Sequence, residues 1–213
     1  MLPIVAICVF KLQPLLAGNS QGDKAAQQIR ELKQGTLIVL LDFRTKTQKT
    51  YRDNGLNDIA DRIQAEQLKF NRELVQAIRE SYHFSHFLFL RKEDFSEAVR
   101  SRSGGMFLNN ELQPDTGIKL RDSFIYLLDF GYVYQNSESY SPASDAANAK
   151  NNQAAAGNTT PSVSECFIIK DSLLNQLVDP FPFYVRKKFN LTKAVSRLND
   201  RLETFYNDRA KDR

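Results

Sequence analysis

The sequence predicts an α/β fold built on one mixed sheet of about four to five strands, and three observations carry that reading. Thr36-Leu37-Ile38-Val39-Leu40-Leu41-Asp42-Phe43 is an almost continuous apolar run with a β-branched middle, the pattern of a strand buried on both faces. Leu56, Ile59, Ala60, Ile63, Phe70, Leu74, Ala77 and Ile78 then recur at helical spacing and fall within a roughly 100° arc of a long amphipathic helix. Phe84-Ser85-His86-Phe87-Leu88-Phe89-Leu90 is a second aromatic-rich strand. Strand, long helix and strand in this order predict a parallel, right-handed crossover.

The other elements follow along the chain. Residues 1–18 open with the apolar run Leu2-Pro3-Ile4-Val5-Ala6-Ile7-Cys8-Val9-Phe10 and end at Leu15-Leu16-Ala17-Gly18, small residues that suit a cleaved leader. The run is too short to span a bilayer, so export to the periplasm or the cell exterior is expected, the alternative being an ordinary buried first strand of a cytoplasmic protein. Residues 19–213 read as a single α/β domain. Asp23 to Gln34 predicts a short helix broken by Gly35, and the polar stretch Arg44 to Gly55 reads as a connector into the long helix. Asp94 to Arg102 predicts a short helix, Ser103-Gly104-Gly105 a turn and Met106-Phe107-Leu108 a brief strand. A long strand is expected over 123–134, with Gly131 as a bulge candidate. Residues 135–163 are small and polar, with Tyr140 and Val163 the only large apolar side chains, and so predict a disordered loop. Glu165-Cys166-Phe167-Ile168-Ile169-Lys170 resumes strand character at once, so the loop joins two antiparallel neighbours. Asp179-Pro180-Phe181-Pro182-Phe183-Tyr184 cannot be helical, and either X-Pro bond is a candidate for cis. A final helix runs from about Leu191 to Tyr206, with Leu191, Val195, Leu198, Leu202 and Phe205 as its apolar face.

Composition narrows function by exclusion. At 213 residues, 42% hydrophobic and 25% charged, the chain is long enough for a buried core and is not disordered, collagen-like or a solenoid. The net charge of +4 is concentrated at one end: residues 186–213 carry nine bases against four acids. Without interleaved aromatics or a recognisable module these bases do not predict nucleic-acid binding. Lys193, Arg197 and Arg201 recur every four residues beside the last helix's apolar face, which reads first as a solvated stripe and second as a surface for an anionic protein or envelope partner.

Cys8 and Cys166 form no Cys-x-x-Cys, and His83 and His86 are joined by no third ligand, so no metal or redox centre is expected. Arg44-Thr45-Lys46-Thr47 stands where a glycine-rich phosphate loop would follow the first strand, and no Gly-x-Ser-x-Gly elbow occurs, so no cofactor is predicted. Parallel α/β sheets place ligands at the carboxyl ends of their strands. Asp42, Arg91 and Glu93, which fall there, are the catalytic candidates if the chain is an enzyme.

The order of elements resembles the thioredoxin-like layout, a strand–helix–strand half followed by an antiparallel pair and a terminal helix, without that fold's redox cysteine pair. Over residues 25–206 the chain also resembles small exported α/β proteins of unknown function from Bacteroidetes, in its leader, the Gly-Thr-Leu-Ile-Val strand at 35–39, the long charged helix and Pro-Phe-Pro-Phe-Tyr-Val at 180–185. That resemblance brings no catalytic residues with it; the leader-like start and the absence of a catalytic constellation predict a non-catalytic exported domain that binds a protein or a cell-envelope component. An enzyme with a small polar site, or a scaffold, is the alternative.

Overall fold

The computed structural model describes residues 20–102, 105–133, 164–187 and 190–209. The predicted leader and the predicted disordered loop at 135–163 lie outside the described residues. Helix α1 (Gln21–Gln34) leads into strand β1 (Thr36–Leu41), then α2 (Thr45–Asp53), α3 (Asn57–Ser81), β2 (His86–Arg91), α4 (Phe95–Ser101) and β3 (Phe107–Leu108). Strands β4 (Ile125–Val133), β5 (Ser164–Asp171) and β6 (Tyr184–Arg186) and helix α5 (Leu191–Arg209) complete the domain.

The strands form one sheet in the order β3-β2-β1-β4-β5-β6. β1 runs parallel to both β2 and β4, and the remaining pairs are antiparallel. All six residues of β1 are buried, as a central strand covered on both faces requires. Leu37, Val39 and Leu41 point to one core, shared with Ile29 and Leu32 of α1, Leu74 and Ile78 of α3, and Leu198 and Leu202 of α5. Ile38 and Leu40 point to the opposite core, closed by Phe95 and Ala98 of α4 together with Phe107 and Leu120.

Several expectations need correction. The sheet has six strands, because the segment after Pro182 adds β6 against β5 over three residues. Gly131 is not a bulge: it faces Cys166 in an unbroken register from Tyr126↔Asp171 to Val133↔Ser164. The polar stretch after Arg44 is not a plain connector but contains helix α2, whose one buried residue, Gln48, is polar. Gln48 donates from Nε2 to the Phe43 carbonyl at 2.6 Å, and Arg52 ties the helix to α3 through Asp61 and Gln64, both at 2.9 Å. A helix held by polar contacts leaves no apolar periodicity to read. Of the two X-Pro bonds, Asp179–Pro180 is cis. Of the predicted Ser103-Gly104-Gly105 turn only Gly105 is described, with φ +95°.

This topology decides where a site can lie. The chain leaves β1 for β2 on one side and later returns to β4 on the other. The carboxyl ends of β1 and β4 therefore flank the point where the strand order reverses, the place at which open α/β sheets form a crevice.

Candidate functional site

A cleft of about 370 Å³ opens above those two strand ends. Its β1 wall is built by Asp42 and Arg44. Arg44 takes a left-handed conformation with φ 51°, stabilised by its N–H donating to Asp42 Oδ1 at 2.7 Å. For a non-glycine residue that conformation is strained, and such strain is concentrated at functional loops. The backbone below is pinned from α3, where the fully buried Asn71 donates from Nδ2 to the Asp42 carbonyl at 2.8 Å and accepts from Gln67 Nε2 at 3.3 Å. An amide can do both jobs at once, which accounts for a buried polar residue on the inner face of α3.

The opposite wall is Asp129 to Tyr132 of β4, Glu165 of β5 and Lys187 beyond β6. Lys187 Nζ lies 3.2 Å from Glu165 Oε2 and sits 5.3 and 5.4 Å from the ring centroids of Phe70 and Phe130, which are 4.9 Å apart. Tyr132 presents a ring that is 53% exposed and donates its hydroxyl to Glu165 Oε1 at 3.4 Å. Glu66, on the α3 side, makes no ion pair or hydrogen bond among the described residues.

Asp129 is the one buried acid of the cleft, only 5% exposed. Lys92 Nζ approaches its Oδ1 at 2.8 Å and Lys170 Nζ its Oδ2 at 2.8 Å. Burial by itself pushes this carboxyl up, but the charges and hydrogen bonds of the two ammonium groups outweigh it and hold the group below the usual carboxylate range. Since the folded state favours the ionised form, the stabilisation is complete above the unfolded value of about 4 and is lost as pH falls through the lower folded value. Asp129→Asn is expected to cost about 1–3 kcal/mol at neutral pH, less than a fully buried pair because Lys92 stays substantially exposed. Urea melts from neutral to acid pH check this: the gap between wild type and variant should close at the acid end, and a pH-independent gap would mean that the ion pairs are not its source.

The predicted site residues do not converge. Asp42 lines the cleft, whereas Arg91 lies in a neighbouring one formed with α2 and α3. Glu93 is exposed in the 3₁₀ turn Lys92–Asp94 and lines neither of these clefts. Lys193, Arg197 and Arg201 are exposed on α5. Arg197 and Arg201 border a shallow depression beside β6, and Arg201 donates to the Tyr184 carbonyl at 2.6 Å.

Asp129, Lys170, Lys187 and Asn71 were not anticipated. The only signal for Asp129 was an acid inside an otherwise apolar strand. The histidines lie away from the cleft: His86 sits at the amino end of β2, where Thr36 Oγ1 is 3.2 Å and Asp122 Oδ2 3.5 Å from its Nδ1, and His83 is exposed. Among the described residues no group of three or more His, Cys, Asp or Glu is set to hold a metal ion, and no helix is long and apolar enough to cross a membrane.

Comparisons of the chain with protein-family models, with curated proteins and with solved structures found no match.

Proposed function

We propose that this chain is a non-catalytic, exported binding domain, and that a cationic part of a protein or cell-envelope component enters the cleft between the ends of β1 and β4. The observation that carries the reading is the pairing pattern in that cleft. Its buried acid and Glu165 are already neutralised by Lys92, Lys170 and Lys187, while Asp42 and Glu66 line the same cleft with no ion-pair partner among the described residues, the neighbouring Arg44 included. Two carboxylates beside the half-exposed ring of Tyr132 suit an ammonium or guanidinium group, which gains both charge pairing and contact with an aromatic face. A carboxylate kept ionised by two lysines, as Asp129 is, is a weak base and a poor proton carrier near neutral pH, which favours binding over acid–base chemistry. Export rests on the opening apolar run and its small-residue end.

The concavity of the same cleft supports a second reading, in which a small polar substrate is transformed there. Native mass spectrometry of the protein recovered from its own host separates the two. A retained partner or amine-bearing adduct is expected on the wild type, with retention at least ~10-fold weaker in the double variant Asp42→Asn, Glu66→Gln. Asn at 42 keeps the acceptor used by the Arg44 amide, so the loop is preserved. Retention that is unchanged in the double variant would refute the site. An adduct that converts to a different mass on incubation would replace binding with catalysis.

A further inference from the structure

We propose that a second cleft, between α2, α3 and the end of β2, is an oxyanion-binding site in which Arg91 and Arg72 hold a carboxylate or phosphate group. The cleft has a volume of about 300 Å³ and meets the first across Gln67, which lines both. The proposal stands on different residues from the binding reading above and does not depend on it.

Arg91 is the last residue of β2 and is half-buried. Its guanidinium carbon lies over the Phe43 ring, 4.8 Å from the centroid, a cation–π contact that holds the end of the side chain in place. Its Nε is fully enclosed, yet no protein group accepts from it. Neither Arg91 nor Arg72 makes an ion pair or hydrogen bond among the described residues. Two guanidinium groups lining one cleft without a protein counter-ion leave their charge open to an added anion.

The rest of the lining is rich in donors. Gln64, Gln67, Leu68 and Arg72 recur at helical spacing and so present one face of α3 to the cleft. Gln64 uses its carbonyl oxygen to accept from Arg52 at 2.9 Å, which leaves its amide nitrogen as a donor. Thr45 adds a hydroxyl with no partner among the described residues. Against these stands one acid, Glu111, which pairs with neither arginine. Two guanidinium groups, an amide nitrogen and a hydroxyl around one small space form a receptor for a planar or tetrahedral group of several oxygens, and the paired donors of arginine match such a group edge to edge.

Calorimetric titration of the full chain with inorganic phosphate and with acetate, at an ionic strength held constant with chloride, tests the proposal. Saturable millimolar binding of at least one is expected, together with a rise in melting temperature in its presence. Arg91→Gln should weaken the binding at least ~10-fold, and Arg91→Lys should weaken it as well, since an ammonium lacks the fork. Arg72→Gln, an exposed helix position, should weaken it without altering the melt of the free protein, and so decides the matter even if the Arg91 variants do not fold. Arg79→Gln, on α3 but outside the cleft, should bind as wild type. Tighter binding of phosphate assigns a phosphorylated ligand and tighter binding of acetate a carboxylate. No saturable binding of either, or equal binding by the wild type and Arg72→Gln, overturns the site.

Discussion

Gly35→Ala is expected to destabilise the protein by about 3 kcal/mol or more, measured as the shift in a denaturant melt. The cause is not backbone strain: Gly35 has φ −109°, a value open to any residue. The cause is proximity. A Cβ at this position would lie 2.8 Å from the Glu31 carbonyl and 2.8 Å from the Phe124 Cβ, and closer still to the Phe124 carbonyl. Those atoms cannot retreat separately, because the Phe124 carbonyl accepts the Thr36 amide at 3.0 Å and Thr36 opens the parallel register of β1 with β4. Making room would push α1 off the sheet or break the first link of the β1–β4 pair. The walls of the first cleft are the far ends of these same two strands. A loss below about 1 kcal/mol would mean that the helix-to-strand corner relaxes freely.

The large elements were legible because each carries its own apolar period. β1 is buried at every position, α3 keeps one apolar stripe from Ala60 to Ile78, and β4 and β5 pair directly. What the sequence hid was held together by polar or backbone contacts. α2 buries only Gln48 and reaches α3 through Arg52, so it has no hydrophobic signature. β6 pairs through three residues that follow two prolines, too few for alternation to register. The candidate sites were hidden for a further reason. Grouping Asp42, Arg91 and Glu93 by strand ends treats those ends as one place, whereas Asp42 lines one cleft and Arg91 another, with Gln67 of α3 on the border of both and Glu93 in neither. The partners of Asp129 illustrate the same limit: Lys92 and Lys170 come from either side of it, 37 and 41 residues away along the chain.

Leu198→Ala is expected to cost about 2–5 kcal/mol, the transfer loss plus that of a cavity that does not collapse. Leu198 is fully buried in the core that α5 shares with α1, α3 and the sheet, and Leu202 one turn on is equally enclosed. Arg197→Ala, its exposed neighbour, should cost about 0.5 kcal/mol or less. The contrast tests the orientation of the whole helix, since a rotation by one residue would exchange the two effects. It also frames the basic stripe. Lys193 and Arg197 form no side-chain ion pair among the described residues, whereas Arg201 spends a donor on the Tyr184 carbonyl and lies 5.8 Å from that ring. Changing Lys193 and Arg197 to Gln should therefore leave the melting temperature nearly unchanged, and Arg201→Gln should lower it slightly by loosening β6. An anionic partner bound by the stripe would be lost in the first variant and would weaken with salt in the wild type. A partner retained by the Lys193, Arg197 double variant would assign these two charges to solvation of the helix.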